Sequence, residues 1–224
     1  LAVQATPGAA QSVAPSTGQG VQFGLEGARL VDFIRFLGQF LGGAPVLRED
    51  HVPPASVSVV APEPLGPGEL RALLDLVLRP AGLEAVLRGG VSYVLPAAAP
   101  GPPLPEDAQI LVWSLPQGEA QARSLAGVLE RLRSDRARVL SSGRLVALAD
   151  EAARVARLRP VLQALAALPP GRVPEIVPQA RAQARQTARV LVLRLKSAQG
   201  GGSAPLLVLP LDWSNSLLLA GTPE

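Results

Sequence analysis

Apolar and polar positions first fall into register at Val21, Phe23 and Leu25, which share one face of a short strand with Gln22 and Gly24 between them. From Ala28 to Leu41 the spacing becomes helical. Leu30, Ile34, Leu37 and Leu41 form the stripe, Phe33 and Phe40 widen it, and Gly42-Gly43 ends it. A short strand at Pro45–Leu47, a proline-bearing turn and a β-branched strand at Ser56–Val60 follow. Pro64, Gly66 and Pro67 introduce a second helix carrying Leu70, Leu73, Leu74, Val77 and Leu78. Pro80 and Gly82 close it, and Leu83–Leu87 and Val91–Leu95 form a hairpin about Arg88-Gly89-Gly90. The predicted order over 21–95 is β-α-β-β-α-β-β.

A second patterned stretch covers 108–168. Ile110–Leu115 reads as a strand, and Glu119–Leu132 as a helix with Ala122, Leu125, Leu129 and Leu132 inward. Arg138–Leu140 and Leu145–Leu148 read as strands joined at Ser141–Gly143, and Asp150–Leu168 as a helix with Asp150 at its N-cap. Pro160 is expected to kink or restart that helix. Residues 189–224 look like a partial copy of this β-α-β-β-α unit. Val190–Leu195 would match the strand at Ile110, and Asn215-Ser-Leu-Leu-Leu-Ala-Gly would match Gly143-Arg-Leu-Val-Ala-Leu-Ala. In this reading the Gly-rich stretch Ser197–Ala204 replaces the helix between them.

Composition supplies the breaks. Residues 1–20 carry no charge and no periodicity, which predicts a flexible leader. Residues 96–107 hold five prolines in twelve positions and read as a stiff linker. Residues 169–188 read as a second linker, so the expected units are 21–95, 108–168 and a partial 189–224. The chain begins at Leu1 and is expected to be a piece of a longer protein. None of its apolar runs approaches the roughly 20 residues of a membrane-spanning helix.

Chemistry narrows the function classes. The 224 residues contain no cysteine, so disulfides, thiolate metal sites and cysteine nucleophiles are all excluded. One histidine, His51, lies in Glu49-Asp50-His51, a turn for which no further distant metal ligand is evident. Neither a nucleophile elbow, a P-loop nor a dinucleotide fingerprint occurs, so no enzyme and no cofactor is expected. Gly24-Leu25-Glu26-Gly27 formally fits the G-x-x-G loop of a KH nucleic-acid domain. However, it follows a strand and carries an acid that would repel phosphate, so it reads as a strand-to-helix turn. The net charge of +3 is too small and dispersed for a nucleic-acid footprint. Trp113 and Trp213 lie in or beside apolar strands, where core packing is expected. Arg131, Arg133, Arg136 and Arg138 flank Asp135 at a helix end. They read either as a solvated terminus or as an ion-pair surface facing Asp150 and Glu151 of a neighbouring copy.

The order of these units resembles the secretin family. FGLEGARLVDFIRFLGQFLGGAPVLRED, a VSVV strand and LGPGELRALLDLVLRPAGLEAVLRGGVSYVLP are similar to the secretin amino-terminal domain, itself related to the signalling domain of TonB-dependent receptors. Residues 108–168 resemble the ring-building module that follows it. Leu211-Asp-Trp-Ser-Asn-Ser-Leu-Leu-Leu-Ala-Gly-Thr-Pro is similar to the D-x-x-[ST]-N-x-L-h-h-x-G-x-P signature of the next module. The resemblance implies an α+β fold of tandem small modules, in the periplasmic part of a type II secretion outer-membrane channel of a Gram-negative bacterium. It further implies homo-oligomeric stacked rings, an inner-membrane platform protein as partner and exported proteins as cargo. Carried over by position, the platform would dock on the sheet edges Val21–Leu25 and Ser56–Val60, with Val21, Phe23, Leu25, Val57 and Val59 as contacts. The ring interface would use Arg131, Arg133, Arg138, Asp150 and Glu151. A type IV pilus secretin and a receptor-type domain contacting an anti-sigma regulator remain the alternatives. A charge or proline at Phe23 or Val59 is expected to weaken platform binding.

Overall fold

Ile110-Leu-Val-Trp and Leu145-Val-Ala-Leu-Ala are apolar without alternation, the pattern of strands covered on both faces. They form the centre of the molecule. The computed structural model describes residues 20–169, 172–180, 182–198 and 206–221. The first unit comprises β1 (Val21–Arg29), α1 (Leu30–Phe40), β2 (Val46–Leu47), a 3₁₀ turn (Glu49–His51), β3 (Ser56–Leu65), α2 (Pro67–Leu78), β4 (Leu83–Arg88) and β5 (Val91–Pro96). The second comprises β6 (Ala108–Ser114), α3 (Glu119–Leu132), β7 (Arg138–Ser142), β8 (Leu145–Glu151) and α4 (Ala152–Ala166). The third comprises β9 (Val173–Pro178), α5 (Ala184–Ala198), β10 (Leu207–Leu211), a 3₁₀ turn (Asp212–Ser214) and β11 (Ser216–Gly221). Among the described residues no helix is long and apolar enough to cross a membrane.

The first two units share one sheet of order β1-β3-β6-β8-β7. Its seam is the parallel pairing of β3 with β6, from Ser56 opposite Gln109 to Val60 opposite Trp113. Val57, Val59, Ile110, Val112, Leu145, Ala147 and Ala149 join Leu30, Phe33, Ile34, Leu73 and Val77 in one core. That core also contains Leu83 and Val94, so α1 and α2 lie between the shared sheet and the small sheet β2-β5-β4. On the other face Leu111, Trp113, Val146 and Leu148 pack with Leu125, Leu129, Val155, Leu158 and Leu162 of α3 and α4. Leu211 and Leu218 of the third sheet belong to this second core, so layers of sheet and helix alternate through the molecule.

The proline-rich stretch is therefore a strap over a continuous body. Leu104 packs against the first core, and the Arg138 guanidinium donates to the carbonyls of Arg79 (3.2 Å), Pro80 (2.9 Å) and Pro102. At Gly101 a Cβ would lie 2.7 Å from Arg138 Nη2, so any side chain there would oblige the guanidinium to shift.

The third unit differs from the sequence reading. Val190–Leu195, expected as a strand, lies inside α5, and the segment 169–188, expected as a linker, contains β9 and the first turn of that helix. Its β-α-β-β order and sheet order β10-β11-β9 reproduce β7-β8-β6 of the second unit, so the helix thought to be missing is present. Ala184, Ala188 and Leu191 face the sheet at helical spacing, whereas the exposed Val190, Val192 and Leu193 gave the run its strand-like look. The other pairing held: Gly143 and Asn215 occupy equivalent turns, both left-handed, at φ 54° and 46°. Helix α4 continues past Pro160, which is exposed, so the carbonyl of Ala156 that it leaves unpaired can face water. Most of residues 1–20 and of Ser197–Ala204 lie outside the described residues.

Arg144, in the β7–β8 turn, locks the two units together. It is 17% exposed, donates from Nε to Glu69 Oε1 at 2.5 Å and from Nη2 to the Pro64 carbonyl at 2.9 Å, and pairs with Glu63 through Nη1. The same Glu69 carboxylate accepts the Gly66 N–H at 2.8 Å, where α2 begins. The Arg144 hydrogen bond, reinforced by the Gly66 amide, holds the Glu69 carboxyl below the usual glutamate range against the opposing effect of burial. A depressed carboxylate stabilises the fold at neutral pH and loses that contribution as pH falls through its folded value. Arg144→Ala is expected to lower the unfolding free energy by about 1–2 kcal/mol at pH 7, discounted for the partial exposure of Glu69. Urea titrations at pH 7 and pH 3 should show that difference shrinking in acid.

Candidate docking interface

A strand at the end of a sheet presents backbone N–H and C=O groups that no neighbour satisfies. In the shared sheet β1 holds that position, which agrees with the expected edge at Val21–Leu25. Its side chains anchor it from behind. Phe23 is buried and meets Phe36 edge-to-face at 6.2 Å between ring centroids, and Phe36 in turn meets Phe40 at 5.1 Å. Val21 and Leu25 are half-buried against the same core. Gln22, Gly24 and Glu26 are exposed, so what this edge offers is mainly backbone.

The expected second edge is not one. Strand β3 lies between β1 and β6, and Val57 and Val59 are fully enclosed in the first core. Neither can contact a partner while the fold is intact. The reading failed because β6, which covers that side of β3, arrives from beyond the proline-rich stretch. Gly24-Leu25-Glu26-Gly27 is likewise not a strand-to-helix turn: it lies within β1 and contains a bulge, with Gly27 at φ 64°.

The five expected ring-interface residues divide. Asp150 is completely buried at the end of β8 and does not cap α4, whose N-cap position is Glu151. Its carboxylate accepts from Ser134 Oγ (2.7 Å), Ser134 N (3.3 Å) and Glu151 N (2.9 Å), with Arg154 Nε 3.5 Å away. It thereby ties the loop after α3 to the start of α4. Arg133 pairs with Glu130 and donates to the carbonyls of Ser134 and Ala137 at 3.1 Å each, and Arg138 holds the strap. Arg131 and Glu151 are exposed. Intramolecular carbonyls and hydroxyls thus use three of the five groups.

At the first turn after β2, Glu49 pairs with Arg35 and Asp50 with Arg48, whose hydrogen bond lowers the Asp50 carboxyl below its usual range. His51 Nε2 is 3.9 Å from Asp50. Among the described residues no group of three or more histidine and acidic side chains is placed to hold a metal ion. Trp113 is buried in the second core and Trp213 is 38% exposed. Asn215, noted in sequence only as part of a signature, organises the third unit. Its Oδ1 accepts the Ala184 N–H at 2.9 Å at the start of α5, and its Nδ2 donates to the carbonyls of Gln179 (2.7 Å) and Ala182 (3.2 Å). An open cavity of about 290 Å³ lies where α3 and the end of α4 meet β9. Gln121 reaches across there to the last carbonyls of α4, at Leu165 and Ala166, and Gln117 to the Leu168 carbonyl just beyond it.

Small α+β units joined through a shared sheet, with β1 and β7 as its edge strands, define a modular α+β class of protein. Among the solved structures that resemble the chain are amino-terminal domains of a secretin. A dimeric mutant of the amino-terminal domain of the secretin XcpQ from Pseudomonas aeruginosa matches with a TM-score of 0.57 and 20% identity, over 95% of this chain and 93% of that one. The amino-terminal domain of the same secretin in a second crystal structure matches with a TM-score of 0.56 and 19% identity over the same shares. The chain thus has the secretin amino-terminal fold, an α+β succession of small modules. No protein-family model and no curated relative matches the sequence.

Asp150→Ala leaves the Ser134 hydroxyl and two amides without their acceptor in a buried site, and is expected to cost about 2–3 kcal/mol. Thermal unfolding should show a drop of roughly 5–10 °C. Val59→Asp is expected to unfold the first two units together, seen as loss of the circular dichroism signal rather than as a selective loss of binding.

Proposed function

We propose that the chain is the periplasmic region of an outer-membrane secretin of the type II secretion class. It assembles with further copies of itself into stacked rings, docks an inner-membrane platform protein, and guides exported proteins toward the channel. The role is architectural and not catalytic. The observation that carries the reading is fold correspondence with the XcpQ amino-terminal domain along 95% of the chain. The sequence resemblance to secretin modules agrees with it.

Docking is assigned to the backbone edge of β1, in line with the free position of that strand. Strand addition there extends a sheet whose other members are already fixed, so little ordering is required of this chain. Lateral contacts between copies are assigned to surfaces that include Arg131 and Glu151, the two expected interface residues that remain exposed. The sheet face of the second unit is occupied by α1 and α2 and is not available to a neighbouring copy.

Gln22→Lys with Gly24→Asp places charge along the exposed side of β1 without touching the core. Binding to the purified periplasmic domain of the platform protein, measured by titration calorimetry, is expected to fall at least tenfold. Melting temperature should change little. Unchanged affinity in the folded variant would show that docking lies elsewhere.

A further inference from the structure

Strand β1 is not uniform along its length. Leu25 opposes Val59 and Ala28 opposes Val57, so Glu26 and Gly27 together face the single residue Ser58. One extra residue in the strand makes a bulge, which breaks the alternation of outward N–H and C=O groups and twists the edge. Such a bulge is a device that stops further strand pairing.

The supports of this bulge come from the second unit. Ser58 is fully buried, and its Oγ accepts the Gly27 N–H at 3.0 Å. The same oxygen accepts from Gln109 Nε2 of β6 at 2.9 Å. From the other side, Arg159 of α4 is 27% exposed and pairs through Nη1 with the exposed Glu26 carboxylate. Two groups of the second unit, on different elements, therefore support two adjacent residues of an edge strand in the first: Arg159 meets Glu26 directly, and Gln109 reaches Gly27 through the Ser58 hydroxyl.

We propose that Gln109 and Arg159 are positioning residues for docking: by fixing the bulge at Glu26–Gly27, the second unit sets where the pairing edge of β1 ends and hence the register of an incoming strand. This rests on the edge-docking reading above and deepens it. Partner recognition is then a property of the first two units together, since the edge is shaped by groups the first unit does not carry.

The test uses the full chain with Gln109→Leu and Arg159→Ala combined, and the purified periplasmic domain of the platform protein as probe. Hydrogen–deuterium exchange of the free protein is expected to rise at least tenfold at Glu26–Ala28, with the rest of the sheet protected as before. Affinity for the probe should fall about tenfold. Exchanging the charges, Glu26→Arg with Arg159→Glu in a chain that keeps Gln109, should return both readouts to near the starting values. Unchanged exchange at the bulge overturns the proposal whatever the binding result, and so does a charge exchange that restores nothing. If exchange rises but neither this variant nor Gly24→Asp alters affinity, the edge-docking reading falls, and with it the role in register. A merely structural role would lower the melting temperature without the local exchange signature or the recovery by charge exchange.

Discussion

The parallel pairing of β3 with β6 is the constraint on which the rest of the molecule depends. It converts what composition presents as two units and a linker into one five-stranded sheet with helices on both faces. The strands between the two edges are then largely apolar on both sides, and a polar exception such as Ser58 is best paired within the sheet. Ser58 meets that requirement through Gly27 and Gln109. Ion pairs and carbonyl contacts at the margins of the sheet, from Arg138, Arg144 and Arg159, fix the angle at which the second unit sits on the first. Buried surface supplies most of the stability of such a joint, and the arginines supply its geometry.

Much of the fold was legible because local and global preferences agree. The helices around Ile34, Leu73 and Leu125 carry stripes that point at the sheet, and Pro67 starts α2 where a proline can start a helix. The strand at Val57 and the hairpin about Gly89-Gly90 also fall where pattern placed them. What escaped was non-local. Nothing near Val57 announces that β6 will lie beside it, although the uninterrupted apolar runs at Ile110 and Leu145 carried the signal of two-sided burial. Helix α5 was misread because its outer face bears Val190, Val192 and Leu193, so the run looks β-branched while its inner residues keep helical spacing.

The candidate site was legible to a smaller degree. The position of β1 was anticipated, yet of its named residues Phe23 proved to be an inward anchor, and Val57 and Val59 are interior. Charged residues were harder still. Spacing alone shows Arg131, Arg133, Arg136 and Arg138 as one cluster, but carbonyls from Ala137 to Pro102 claim two of them, and Asp150 is buried under Ser134. A charge pattern read along a chain counts groups; it does not reveal which have already been satisfied by backbone far away in sequence.

The second and third units also show one plan at two stages of elaboration. The second and third share strand order, turn handedness at Gly143 and Asn215, and a helix laid on one face. They differ in what covers the opposite face: α1 and α2 in one case, α3 with its neighbours in the other.

The contrast between the two joints has a mechanical consequence. A load drawn along β3 and β6 is shared by a row of parallel hydrogen bonds that must all yield in shear, whereas the third sheet is held to the second unit by apolar side chains such as Leu211 and Leu218, whose packing is non-directional. Sliding of one unit past the next is therefore resisted more strongly at the first joint than at the second.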